Sequence, residues 1–195
     1  MAYACCALLL IAVQLVGLGR PSGLGRCPKH KYMQDFNITK FTGRWYEIER
    51  SFYLMELTSA CIEIDLSEND RGQIDVSVST IGRWSGSATV SRGVATTSKR
   101  HPSIFLFKVS TTLPNTVARF LPGAGFYQIL DTDYEDFAVL WTCTSLGLAH
   151  TDLVWILGRS RELNVTTRAN IYDYLLLRHI DSERLILSSN NCTLE

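Results

Sequence analysis

Residues 62–78, IEIDLSENDRGQIDVSV, contain the clearest secondary-structure pattern of the chain. Apolar residues occupy every second position from Ile62 to Leu66 and again from Ile74 to Val78. The intervening residues 67–73 are polar or glycine, as in a turn. Because successive side chains of a strand point to opposite faces, this pattern predicts a hairpin with one apolar and one polar face.

Short apolar stretches separated by turn residues recur on both sides of this hairpin, which indicates an all-β barrel or sandwich. Residues 137–143 and 153–157 are apolar on both faces, so another element must cover their outer side. The segment Thr166–Arg178 has helical spacing and is predicted to be that cover, with Thr166 or Thr167 as its N-cap. Further strands are predicted at Arg44–Phe52, Ser87–Val94, Ser103–Val109, Phe126–Leu130, Asp136–Cys143, Asp152–Gly158 and Leu185–Leu187.

The composition limits the classes of protein to which the chain can belong. Its 195 residues suffice for one domain with a sizeable core, and a hydrophobic content of 46% is typical of a globular domain. The 19 basic and 19 acidic residues give zero formal net charge, so no nucleic-acid-binding surface is expected.

The N-terminal residues 1–19, MAYACCALLLIAVQLVGLG, carry no charged side chain and end in a small-x-small pattern. We expect a signal peptide that is cut near Gly19, and therefore a secreted, extracellular protein; a retained membrane anchor is the alternative. Residues 20–26 are expected to form a loose leader, and residues 27–192 the folded domain.

The cysteine count supports an oxidising compartment. Cys5 and Cys6 lie in the predicted signal peptide, which leaves Cys27, Cys61, Cys143 and Cys192. An even number in a secreted chain predicts two disulfides, although four cysteines allow three pairings. No metal site is expected, because the chain contains no CxxC or HxxxH pair.

Three N-x-[ST] triplets are candidate glycosylation sites in a secreted protein. They begin at Asn37, Asn164 and Asn191.

Three further motifs follow one another along the predicted strands. Gly43-Arg44-Trp45-Tyr46 is a G-x-W element on the first strand, Thr132-Asp133-Tyr134 is a T-D-Y element between the sixth and seventh, and Arg159 ends the eighth. In their order, spacing and following helix, these motifs resemble the lipocalin family. The resemblance implies an eight-stranded up-and-down antiparallel barrel with one C-terminal helix on its wall. It also implies structural roles at the closed end for Gly43, Trp45, Thr132, Asp133, Tyr134 and Arg159.

Within the family, the chain resembles the subgroup of apolipoprotein D, insect Lazarillo and the bilin-binding lipocalins. The resemblance lies in Gly25-Arg26-Cys27-Pro28, in Glu47-Ile48-Glu49 after the G-x-W element and in Trp155-Ile156-Leu157. It implies the disulfides Cys27–Cys143 and Cys61–Cys192. It also implies a small hydrophobic ligand, which would be a fatty acid, sterol, retinoid or bilin, and roles in lipid transport and stress protection.

The lining of the barrel follows from strand alternation and from the resemblance. Alternation assigns Leu66, Val76, Val78 and Leu140 to the interior, and the resemblance adds the remaining members of the set. Trp155 and Tyr127 are expected to contact the ligand, because an indole and a phenol offer apolar area and a donor. The alternative is that these residues are plain core. The predicted ligand contacts are Leu66, Val76, Val78, Phe105, Phe107, Tyr127, Ile129, Leu140, Leu153 and Trp155.

The predicted loops at the open end are more apolar than solvation requires. They are expected either to fold inward as a lid or to form a rim that contacts membranes or lipoproteins. The residues concerned are Phe52, Tyr53, Leu54, Met55, Leu113, Val117, Phe120, Leu121, Leu146 and Leu148.

The function that these features favour is that of a secreted carrier of a small hydrophobic ligand. The sequence contains no recognised catalytic motif and its four histidines are scattered, so we expect neither enzyme activity nor a cofactor other than such a lipophilic ligand. The alternatives are an extracellular interaction or inhibitor module with a filled barrel, and a haem-binding or enzymatic lipocalin.

Overall fold

The structure is a computed structural model that describes residues 23–52, 59–98, 100–114, 118 and 123–189, with the side chain of Ser98 excepted. Residues 1–19 and Cys192 therefore lie outside the described residues, as do Asn191, Tyr53, Leu54, Met55, Val117, Phe120 and Leu121. In chain order the elements are β1 (Gly23–Leu24), α1 (Ile38–Phe41), β2 (Gly43–Ser51), β3 (Ser59–Glu68), β4 (Ile74–Gly82), β5 (Ala88–Ser98), β6 (His101–Val109), β7 (Gly125–Thr132), β8 (Phe137–Ser145), β9 (Ala149–Gly158), α2 (Val165–Leu176) and β10 (Leu185–Leu187).

The strands β2 to β9 form a closed antiparallel barrel. Each pairs with the next along the chain, and β9 pairs back with β2. In the predicted hairpin, Ile64 lies opposite Val78 and Leu66 opposite Val76, so the two apolar faces coincide. The predicted eight-stranded up-and-down barrel is confirmed.

The predicted covering helix is also confirmed. Ile171 and Leu175 of α2 are buried in a cluster with the outward-facing Val139, Val154 and Ile156 of β8 and β9. These strands are apolar on both faces because one face lines the barrel and the other supports the helix.

The predicted N-cap of this helix is wrong. The helix begins at Val165, and the Asn164 side chain accepts a hydrogen bond from the Thr166 backbone N–H at 2.8 Å. Asparagine caps at least as well as threonine, so the residue just before the first helical one takes this role.

Trp45 closes one end of the barrel. Its side chain is 0% exposed and its indole N–H donates to the Phe41 carbonyl at 2.9 Å. The Arg159 guanidinium lies 3.7 Å from the Trp45 ring centroid and also donates to the Arg44 carbonyl at 2.8 Å. The guanidinium thus joins β2 and β9 at this end, in the place that the resemblance implied.

The T-D-Y residues stabilise the loop between β7 and β8. The Asp133 carboxylate accepts three backbone N–H groups, from residues 135 to 137, at 2.9 to 3.1 Å. The Thr132 hydroxyl donates to the Phe137 carbonyl, and Tyr134 has a positive φ of 70°. Its phenol accepts a hydrogen bond from the Asn37 backbone N–H at 3.1 Å, which ties the segment before α1 to this loop.

The first and the last described strands, β1 and β10, are attached to the barrel wall. Gly23 and Leu24, in the predicted leader, pair with His150 and Ala149 of β9, and β10 pairs with β2. The predicted disulfide Cys27–Cys143 is confirmed. Cys61 is also disulfide-bonded, while its predicted partner is outside the described residues. Within the described ranges, no helix is both long enough and apolar enough to span a bilayer.

Candidate functional site

The interior of the barrel changes from sealed to solvent-accessible along its axis. On β9, Leu157 near the Trp45 end is 2% exposed, whereas the inward-facing Trp155 is partly exposed. On β8, Ala138 is 0% exposed and Leu140 is partly exposed. The same change occurs from Ile129 to Tyr127 on β7, from Phe105 to Phe107 on β6 and from Ile74 to Val76 and Val78 on β4. Solvent therefore reaches the interior from the end opposite Trp45.

The predicted lining residues converge on this interior. Eight of the ten belong to one hydrophobic cluster with Trp45: Leu66, Val76, Phe105, Phe107, Tyr127, Ile129, Leu140 and Trp155. The other two, Val78 and Leu153, share its face, because Val78 pairs with Ile64 of the cluster and Leu153 is two residues from Trp155. Phe105 and Ile129 are 6% and 1% exposed and belong to the sealed half. Ligand contact remains a prediction for each of them.

Aromatic side chains form one wall of the accessible half. The ring centroids of Tyr127 and Trp155 are 5.8 Å apart, and those of Phe107 and Tyr127 are 6.5 Å apart. The Tyr127 hydroxyl donates to the Gly123 carbonyl at 2.7 Å, towards the open end. Its hydrogen is therefore engaged, so Tyr127 offers apolar area and an acceptor oxygen rather than the expected donor.

A buried ion pair, which the sequence pattern did not predict, lies beside Trp155. Arg50 lies opposite Trp155 and Glu47 opposite Leu157, so both side chains share the inner face of the wall. The Arg50 Nε atom is 3.0 Å from Glu47 Oε1, and the side chains are 3% and 2% exposed. The Ser188 hydroxyl, just after β10, also donates to Glu47. The apolar interior thus contains a polar group beside its central tryptophan.

A β-bulge explains why Arg50 could not be found by alternation. Counted from Trp45, period two places Glu47 inward, Glu49 inward and Arg50 outward, but the register between β2 and β9 shifts between Glu47 and Glu49. Glu49 therefore faces the outer wall, where its carboxylate meets Arg168 at 2.9 Å and accepts a hydrogen bond from the Tyr172 hydroxyl. Strand alternation therefore predicts the inward position of Glu47 but not that of Arg50.

Large apolar side chains are exposed around the open end. Phe52 after β2 is 54% exposed, Leu113 45%, Leu146 41% and Leu148 90%. Trp84, in the turn between β4 and β5, is 77% exposed and was not among the predicted rim residues. Leu24 adjoins Leu148 through the β1–β9 pairing. The described part of the rim therefore projects into solvent.

Two of the three predicted glycosylation sites are described and exposed. The Asn37 side chain caps α1 by accepting from the Lys40 N–H at 2.9 Å, and Asn164 caps α2. Glycosylation itself remains a prediction. Among the residues that the structure describes, no three His, Cys, Asp or Glu side chains are grouped so as to hold a metal ion.

Comparison with known proteins identifies the family. The model of the lipocalin / cytosolic fatty-acid binding protein family matches residues 42–189. Apolipoprotein D of Oryctolagus cuniculus is 33% identical over 198 residues, covering 95% of this chain and 96% of that protein. The Lazarillo protein of Schistocerca americana is 27% identical over 164 residues, covering 80% of this chain and 70% of that protein.

Solved structures agree on the fold. Insecticyanin from the tobacco hornworm Manduca sexta superposes with a TM-score of 0.70 at 21% identity, covering 85% of this chain and 86% of that one. H1 crustacyanin from Homarus americanus gives a TM-score of 0.67 at 17% identity, covering 89% and 93%. The family model spans the whole barrel and one relative is 33% identical over nearly its full length, so the chain belongs to the lipocalin / cytosolic fatty-acid binding protein family.

Proposed function

We propose that this protein binds and carries a small hydrophobic ligand in the accessible half of the barrel. The observation that carries the proposal is the change from fully buried to partly exposed inward-facing residues on five strands. Partly exposed apolar side chains inside a barrel gain about 25 cal/mol for each Å² that a ligand removes from water. Membership of the family supports the same function.

The ion pair beside Trp155 favours an amphipathic ligand over a plain hydrocarbon. Arg50 and Glu47 bring a guanidinium and a carboxylate to the inner wall, where a ligand oxygen is able to join their hydrogen-bond network. Fatty acids, sterols, retinoids and bilins all combine a large apolar body with one or a few oxygens. We therefore place the ligand in this class.

Native mass spectrometry of protein from its natural source, followed by lipid extraction, tests the proposal. We expect a non-covalent adduct of a few hundred daltons, about the size that an eight-stranded barrel admits. An absorption spectrum separates a bilin or haem from colourless lipids. Protein that carries no adduct and takes up no fatty acid, retinoid or sterol would instead support the filled-barrel interaction module.

Binding rather than catalysis is part of the proposal, and so is secretion. The uncharged, apolar residues 1–19 and the Cys27–Cys143 disulfide both suit an exported chain, because disulfides persist in oxidising compartments. Expression in a eukaryotic secretory host should release into the culture medium a protein whose N-terminus lies near Arg20. A cell-retained product that still starts at Met1 would support the membrane anchor.

A second proposed activity is contact with membranes or lipoprotein surfaces through the open end. Phe52, Trp84 and Leu148 are 54%, 77% and 90% exposed around the entrance, so a lipid surface would cover them as it delivers or receives ligand. Transport of lipids between such surfaces, and protection of lipids under stress, are the roles that would follow.

A further inference from the structure

A basic recess lies on the outer wall, away from the barrel entrance. It has a volume of about 380 Å³ and separates the segment 28–31 from residues 177–179 after α2. Five of its seven lining residues carry basic side chains and none carries a carboxylate: Pro28, Lys29, His30, Lys31, Leu177, Arg178 and His179. In a chain of zero formal net charge, this is a local concentration of positive charge.

Contacts with uncharged groups position the Arg178 side chain on one wall of the recess and the backbone at Lys31 on the other. The Arg178 guanidinium lies 3.5 Å from the Tyr174 ring centroid, and the Tyr174 hydroxyl donates to the Leu130 carbonyl. On the other side, the Gln128 side chain donates to the Lys31 carbonyl at 3.1 Å, and the Cys27–Cys143 disulfide attaches the start of the same segment to β8. Both walls are therefore preorganised, which lowers the entropy cost of binding.

His30 lines the recess with a ring whose orientation is fixed by packing. Its ring packs edge-on against Trp141 with centroids 4.7 Å apart, and its Nε2 atom is buried with no hydrogen-bond partner among the described residues. Burial, and next the charge of Arg178, lower the pKa of His30.

Two carboxylates lie near the recess but do not line it. Asp152, which acts weakly on His30, accepts two hydrogen bonds from Arg184 at 2.7 and 2.9 Å and one from the Trp141 indole. The half-buried Asp131 interacts with Arg178 but does not line the recess. The last carbonyls of α2 accept N–H groups from residues 177–180, which reduces the negative potential of the helix end.

We propose that this recess binds a phosphate or sulfate group. Three permanent cations and two imidazoles match a dianion with several acceptor oxygens better than a single carboxylate. A volume of about 380 Å³ also has room for part of the molecule that carries the group. The site is independent of the lipid-binding interior, and its ligand is either a soluble ester or the headgroup of a lipid.

Titration of the full chain with glycerol 3-phosphate at low salt, followed by the NMR resonances of the histidine rings, tests this proposal. We expect saturable shifts at His30 and His179, much smaller shifts with acetate, and weakening by added salt. Arg178→Met and the double change Lys29→Ala, Lys31→Ala should each lower the affinity by roughly tenfold or more. Lys108→Ala, at an exposed lysine on β6, is the matched control and should bind as the wild type does.

A second arm identifies the source of the group. Vesicles of phosphatidylcholine with phosphatidic acid should bind the protein, in an Arg178-dependent manner, only if the natural ligand is a headgroup. Arg178→Met should also raise the pKa of His30, since the guanidinium lowers it, and this shows that the variant is folded and that the two groups are close. If neither probe binds, or if binding survives both sets of changes, the proposal is wrong.

Discussion

The two ends of the barrel use the same kind of side chain differently. Trp45, at the sealed end, is 0% exposed under the guanidinium of Arg159, whereas Trp155 is partly exposed and Trp84, at the rim, is 77% exposed. Burial at the sealed end is completed by folding, so it contributes to stability. At the open end we propose that a ligand or a lipid surface completes the burial. The role of a tryptophan in this barrel therefore depends on its depth along the axis.

Removing the sealed-end indole should produce the largest effect. Trp45→Ala leaves a cavity where the side chain is fully buried and should lower the free energy of unfolding by about 3–5 kcal/mol in denaturant titrations. Trp84→Ala is the matched control and should stay within about 0.5 kcal/mol of the wild type, because its side chain is exposed. Equal unfolding midpoints for the two variants would contradict the conclusion that the sealed end contributes more to stability than the rim.

Polar substitutions at the rim test its contact with membranes. Each fully inserted large apolar side chain contributes about 1.5–3 kcal/mol, so Trp84→Ser combined with Leu148→Ser should abolish flotation with neutral liposomes. Circular dichroism should show an unchanged fold. Because the chain has zero formal net charge, wild-type flotation should depend little on salt. A wild type that never floats would contradict the proposed membrane contact.

Serine changes at Phe120 and Leu121, outside the described residues, extend the same test. If they abolish flotation and the Trp84 and Leu148 changes do not, the membrane contact lies in that loop.

Substitution within the accessible half should affect binding more than folding. Trp155→Ala should weaken the binding of a fluorescent fatty acid or retinoid by about 1–3 kcal/mol, because a partly exposed indole is lost from the lining. Trp45→Phe is the control for the fluorescence signal and should lower stability more than affinity. If Trp155→Ala binds every lipid as the wild type does, the ligand does not reach this depth.

The smallest expected effect is a loss of folding stability at alkaline pH, which arises from the outer wall under α2. Burial is the largest cause that raises the pKa values of Tyr172 and Tyr174 to about 12, and the hydrogen bond to Glu49 adds to it for Tyr172. Groups with raised folded-state pKa values stabilise the fold below pH 10, and this contribution is lost as the pH rises from 10 towards 12. Denaturant titrations across that range should show the loss. The double variant Tyr172→Phe, Tyr174→Phe should not show this loss. A wild type whose free energy of unfolding stays constant over that range would contradict the prediction.

Much of the barrel was predictable because its elements follow local periodicity. Alternation over residues 62–78 predicted both strands and their inner faces, and the pairing of Ile64 with Val78 agrees. The wall-covering helix followed from two strands that were apolar on both faces. The cap of that helix was placed wrongly, because threonine and asparagine are both good caps and only the true first helical residue distinguishes them.

The strands around residues 62–78 and the covering helix followed from the sequence alone, because each rests on a local period. The up-and-down strand order, the sealed end and the Cys27–Cys143 disulfide were implied by the resemblance to the lipocalin family, and the structure agrees with them. Which charges face the barrel interior and which face the outer wall could be read only from the folded chain. The bulge in β2 turns Arg50 inward and Glu49 outward, and its position depends on how β9 pairs with β2. The basic recess joins residues 28–31 to residues 177–179, which no local pattern relates. Periodicity describes one strand at a time, whereas a bulge and a recess arise from contacts between segments that are distant in the chain.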